Sequence, residues 1–178
     1  MKTIFTIGIL STVLLMSASC SSTKVYQDAS KTKALTESGN FTFVAEKANP
    51  INVDVVNILS QYPSGAANIL NLNGNYTLTI TPETITANLP YFGRMFSASL
   101  NPNDNGFNFT SKNFTIDESK STTKKQVLII NLNDINTAQQ MYLEIFPGGS
   151  TTLSINSKDR QAISYLGYIT AISKDSGK

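Results

Sequence analysis

The chain of 178 residues is 40% apolar and 15% charged, the balance of one ordinary folded domain and not of a disordered or membrane-spanning chain. Its formal charge of +2 is small and its lysines are scattered, which excludes the basic stripe of a nucleic-acid binder. With no histidine and a single cysteine, histidine-based triads, Cys–His pairs, histidine zinc sites and intramolecular disulfides are excluded as well.

The first residues read as an export signal. Lys2 gives a positive start, Ile4 to Met16 is apolar with small polar interruptions, and Ser17-Ala18-Ser19 offers small residues for cleavage. The apolar run is shorter than the ~20 residues a membrane helix needs, so residues 1–19 are expected to be a signal peptide. Cys20 follows at once and resembles the acylated cysteine of a bacterial lipobox, although Ser17 stands where leucine is usual. That resemblance implies two or three acyl chains; at ~0.8 kcal/mol per buried methylene, two hold a protein on a bilayer. Residues 20–39 are then the lipidated Cys20 and a polar tether, with a short helical turn between Asp28 and Glu37, and residues 40–178 are the folded domain. Ser21 and Ser22 lack the acidic residues of surface-export patterns, which favours the periplasmic face of the outer membrane.

From Asn40 onward the chain falls into short runs of period two separated by turn residues, the pattern of an all-β protein. Phe41 and Phe43 alternate with Thr42 and Val44. Tyr76, Leu78 and Ile80 continue over Thr81-Pro82-Glu83-Thr84, a proline-bearing turn, into Ile85, Ala87 and Leu89, which predicts a hairpin ended by Pro90. Phe107 to Thr110 and Asn113 to Ile116 form a second closely spaced pair of runs. The continuous apolar run Gln126 to Leu132 predicts a strand covered on both faces. Met141 to Phe146 stops at Pro147-Gly148-Gly149-Ser150, a turn in which glycine is free to take positive φ. Leu153 and Ile155 start a return strand, and Ile163 to Ile172 is the last. About eight to ten strands, with no repeat and no second core, point to one closed or nearly closed antiparallel sheet, a β-barrel that solves the edge problem. Between Ile51 and Leu72 the spacing of Ile51, Val55, Ile58 and Leu59 is helical instead, broken at Pro63-Ser64-Gly65; a short helix capping a barrel end is expected there.

Few groups are left to carry chemistry. Asn101-Pro102-Asn103-Asp104-Asn105-Gly106 imitates the start of a calcium loop, but Lys112 stands where the bidentate carboxylate belongs, so it reads as a turn. Four Asn-aromatic-Thr triplets, beginning at Asn40, Asn75, Asn108 and Asn113, read as strands with the aromatic turned inward. Glu144 lies within an apolar strand, and a glycosidase would need a second carboxylate; Glu46, Glu83, Asp117 and Asp134 are candidates that nothing separates. No catalytic residue, metal site or cofactor is expected, and the protein reads as a non-enzyme.

Two stretches remain. Leu89-Pro90-Tyr91-Phe92-Gly93-Arg94 follows a strand with two aromatics, a breaker and an arginine, and Arg160-Gln161-Ala162-Ile163-Ser164-Tyr165-Leu166-Gly167-Tyr168 echoes it. Arg94 and Arg160 are the only two arginines. Together these motifs resemble domain-of-unknown-function family 4251, found largely as lipoproteins of Bacteroides-type bacteria. The resemblance spans about Phe41 to Ile172 and implies a lipocalin-like barrel with no established activity.

The expected function is that of a monomeric binding module, anchored to the membrane by lipid, for a small or amphipathic ligand. Tyr91, Phe92, Tyr165 and Tyr168 would form an aromatic wall, with Arg94 or Arg160 meeting an anionic head group. The bland alternative is that these aromatics plug a barrel end and an arginine stacks on tyrosine for ~0.5–1 kcal/mol. A second function is binding of another envelope protein through a sheet edge or the Ile51 to Leu72 segment.

Overall fold

A computed structural model describes residues 26–51, 53–61, 69–73, 76–96, 105–119 and 121–173. The signal segment, Cys20, the Pro63-Ser64-Gly65 break and Asn101 to Asp104 lie outside those residues. The period-two runs become nine strands: β1 (Phe41–Pro50), β2 (Thr77–Ile80), β3 (Ile85–Pro90), β4 (Gly106–Ser111), β5 (Phe114–Ser119), β6 (Gln126–Leu132), β7 (Gln140–Ile145), β8 (Ser150–Asn156) and β9 (Ile163–Thr170). Two helices accompany them among the described residues, α1 (Ala29–Ser38) and α2 (Val53–Ser60). The expected all-β antiparallel barrel is the architecture found.

All neighbours pair antiparallel, in the order β4-β3-β2-β1-β9-β8-β7-β6-β5. Strict alternation leaves the two edges, β4 and β5, running in the same direction, and only Lys112 and Asn113 separate them in sequence. The edges therefore act as one bent strand. Its first half pairs with β3 and its second with β6, and the sheet is nearly closed. The second pair of runs in the sequence is thus no hairpin. Asp134, between β6 and β7, holds the bend: its carboxylate accepts from the Ser111 hydroxyl and from the backbone N–H groups of Lys112 (2.9 Å) and Asn113 (3.2 Å). Those bonds, the Ser111 one foremost, keep its carboxyl below the usual range.

The inward faces meet as one core that includes Phe41, Phe43, Leu78, Ile80, Phe107, Ile130, Met141 and Leu143. The predicted hairpin forms with Ile80 opposite Ile85, and the Thr81 hydroxyl accepts from the Thr84 N–H at 2.9 Å across the turn. Gly149 takes φ 82 in the Pro147–Ser150 turn, as expected. The run Gln126 to Leu132 departs from expectation. Leu128, Ile130 and Leu132 are buried, whereas Val127 and Ile129 are only half-buried, because none of the described residues forms a second layer over the outer wall there.

β1 carries a bulge between Ala45 and Lys47. Opposite it, a Cβ on Gly167 would come 1.9 Å from the Val44 carbonyl oxygen, so only glycine allows the strands to approach this closely. The barrel has a near end, where β1 begins, and a far end, where β1 finishes at Pro50 beside Ile163. The stretch ahead of Asn40, read from the sequence as a polar tether with a short helical turn between Asp28 and Glu37, holds the longer, ten-residue helix α1 there. It lies at the near end, with Thr32 and Thr36 buried and Leu35 packed against the core. The chain before it is tied down as well, since the backbone N–H of Tyr26 donates to the Gly148 carbonyl at 2.9 Å.

Candidate functional site

The two sequence motifs meet at the far end and close it. Residues 91–96 run beside 159–161: Phe96 N–H donates to the Asp159 carbonyl at 2.7 Å, and Gln161 N–H to the Arg94 carbonyl at 3.0 Å. The Arg160 side chain is 1% exposed. Its Nε and Nη2 donate to the two Asp159 carboxylate oxygens at 3.1 and 2.9 Å, and Nη1 donates to the Gly106 carbonyl at 3.1 Å. The guanidinium carbon lies 5.2 Å from the centre of the Tyr91 ring and 5.1 Å from that of Phe107, with those rings edge to face at 5.7 Å.

Tyr165 is fully buried and donates to the Pro90 carbonyl at 2.7 Å. The Tyr91 hydroxyl shares its proton between the Arg94 (2.9 Å) and Gln161 (3.1 Å) carbonyls. Burial raises the pKa of both phenols. Burial also disfavours ionised Asp159, but hydrogen bonds from Arg160 and Ser157 outweigh it and its carboxyl falls below the usual range. Every one of these polar groups is engaged within the protein.

The six residues proposed from the sequence therefore divide. Arg160, Tyr165, Tyr91 and the half-buried Phe92 belong to the plug, which fills the far end. Arg94 contributes its backbone and is exposed. Tyr168 sits three residues beyond Tyr165 and so faces the outer wall, where it stacks on Tyr26 with ring centres 4.5 Å apart and planes 13° from parallel. The expected four-aromatic wall is not assembled, because the period of a strand sends Tyr165 and Tyr168 to opposite faces. Glu144 is outward too, half-exposed and paired with Lys125 at 2.8 Å. Asp134 is occupied at the bend and Glu46 accepts from the Tyr26 hydroxyl.

Open space lies at the near end instead. A cleft of about 510 Å³ is bounded by α1, the β5–β6 connection and the β7–β8 turn. Its wall carries Thr32, Lys33, Thr36, Glu37, Glu118 and Lys125, and its floor includes Ile145, Phe146 and Pro147. Phe146 also lines a neighbouring cleft of about 500 Å³ on the outer wall, beside Tyr26, Glu46 and Lys47. Sequence reading missed both: the second needs Tyr26, Lys47 and Phe146 brought together by the tertiary structure, and the first needs α1. That helix buries threonines rather than an apolar stripe and so leaves no periodic signal. Among the described residues no group of His, Cys, Asp and Glu is arranged to hold a metal.

Residues 24–169 match the model of a family described as a domain of unknown function, DUF4251. Among solved structures, a DUF4251 family protein from Bacteroides eggerthii superposes with a TM-score of 0.51, covering 80% of this chain and 87% of its own, at 11% identity. At that identity the likeness is one of fold. No curated protein matches the sequence.

Proposed function

The chain belongs to the DUF4251 family, and from that premise we propose that it is a lipid-anchored, non-enzymatic binding module of the cell envelope whose small or amphipathic ligand enters the near-end cleft. The carrying observation is the position of the open space. The far end is filled by the Arg160 plug, while the near end offers about 510 Å³, within the ~300–1,000 Å³ of ordinary ligand sites. Native mass spectrometry of the chain taken from its own bacterial extract is expected to show a retained small molecule. Ala29→Trp, which fills the cleft from an exposed position on α1, should remove it, and Arg94→Ala should not. Absence of any retained molecule would remove the reading. Anchoring through Cys20 has its own test: Cys20→Ala is expected to release the protein from the outer membrane, and undiminished retention would count against it.

A second reading has its own observation. Ile51, Val56, Ile58 and Phe96 are 61, 46, 59 and 63% exposed, and they belong to segments that leave the barrel at its far end. Exposed apolar surface of this kind marks docking sites, here for another envelope protein. A photo-crosslinker at position 51 should then give a discrete protein adduct in the native cell, and Ile58→Asp should remove it. An adduct unaffected by Ile58→Asp would rule α2 out.

A further inference from the structure

We infer that the ligand of the near-end cleft is a neutral saccharide, an inference that rests on the cleft being the binding site. Among the described residues the charges of the wall are balanced: Lys33 and Lys125 stand against Glu37 and Glu118. Both lysines already have carboxylate partners, Lys33 with Glu37 at 3.6 Å and Lys125 with Glu144 at 2.8 Å. An anionic head group would have to compete with those carboxylates for the lysines. A neutral polar ligand meets no such competition.

The wall is rich in hydroxyls, from Thr32, Thr36, Ser121, Thr122 and Thr123, with the amide of Gln126 among them; the first four donate within the protein, Thr32 and Thr36 to backbone carbonyls at the start and within α1. A hydroxyl whose proton is used within the protein keeps lone pairs that can accept, so such a wall suits a ligand whose own hydroxyls donate. Glu118 fits the same role, since one of its oxygens already accepts from Ser121 and Gln126 in the way a carboxylate accepts from a sugar. The floor supplies the complementary apolar surface. Phe146 is 37% exposed at the rim, and its ring can cover the C–H face of a pyranose while the hydroxyl edge meets the wall.

The adjoining outer-wall cleft shares Phe146 and repeats the pattern, with Glu46 against Lys47 and the hydroxyls of Ser150 and Thr152. Two clefts of balanced charge on either side of one exposed ring form a path for more than one sugar unit. A free oligosaccharide and the saccharide head of a glycolipid share this chemistry.

The test is an array of neutral glycans probed with the full mature chain in a polyoxyethylene detergent, which contains no sugar. Each hit is followed by titration calorimetry with the soluble glycan and with vesicles carrying it as a glycolipid. Binding to neutral glycans is expected; Phe146→Ala should weaken it about tenfold or more, and Phe146→Tyr should retain it. Tighter binding to the vesicles assigns the ligand to a lipid head group, and equal binding to a free glycan; both sustain the proposal. An empty array, with palmitate or dodecyl phosphate bound in a manner that Ala29→Trp abolishes, overturns the saccharide and keeps the cleft. An empty array, no binding of either amphiphile and no molecule retained from the extract overturn both.

Discussion

Arg94 and Arg160 show how far two similar motifs diverge once folded. Arg160 is buried and held by Asp159, the Gly106 carbonyl and two aromatic rings, whereas Arg94 is exposed. Truncating one member of a buried ion pair leaves the other uncompensated, which typically costs ~3–5 kcal/mol. Asp159 is partly exposed here, so Arg160→Ala should destabilise by about 3 kcal/mol in urea unfolding. Arg160→Lys should recover only part, because lysine cannot reproduce the planar fork. Arg94→Ala should stay within about 0.5 kcal/mol of the parent. Equal losses at the two positions would refute the division. The sequence could single out these arginines by their rarity but not rank them, since burial depends on what β3, β4 and β9 bring around each.

Elements repeat the lesson. The strands were legible because alternation is local: Leu78 and Ile80 face inward whatever their partners are. Helix α1 was legible only as a short turn, because its buried face is Thr32 and Thr36 and the apolar residue it packs against the core is Leu35. Strand pairing is likewise a tertiary matter, and Gly167 is where it is most demanding. Its missing Cβ would lie 1.9 Å from a backbone oxygen that cannot swing aside as a side chain can. Gly167→Ala should therefore cost about 2–3 kcal/mol, by forcing β1 and β9 apart at the bulge. A thermal midpoint unchanged by this substitution would show that the strands meet differently.

For the whole molecule, pH tests the two devices that close the barrel. Tyr91 and Tyr165 have pKa values raised by burial above the ordinary 10.0, so the unfolded chain ionises first as pH rises. The stability these two phenols contribute should be full below pH 10 and decline above it. Asp134 has the opposite sign, with a folded pKa below the ordinary 3.8. Its contribution should be full above that value and be lost as pH falls through the folded pKa. Asp134→Asn should flatten the acid limb of the stability profile and leave the alkaline limb unchanged, whereas Tyr165→Phe should act on the alkaline limb. A profile in which Asp134→Asn changes neither limb would mean that the β4–β5 bend is held by other contacts.

Read alone, the chain determined its all-β class, its main hairpin, its turns and most of its inward faces. It also excluded histidine and disulfide chemistry outright. Those conclusions rest on composition and on a two-residue period, both of which are local. Which end of the barrel holds the plug and which holds the cleft was decided only by tertiary structure. The plug joins Arg160 to Gly106 and Tyr165 to Pro90 across long stretches of chain, and the near-end cleft needs a helix without an apolar stripe to wall it. Strand register and closure set both, and no local pattern encodes the distance between residues so far apart in sequence. The ligand sought at the two arginines is accordingly looked for at the opposite end.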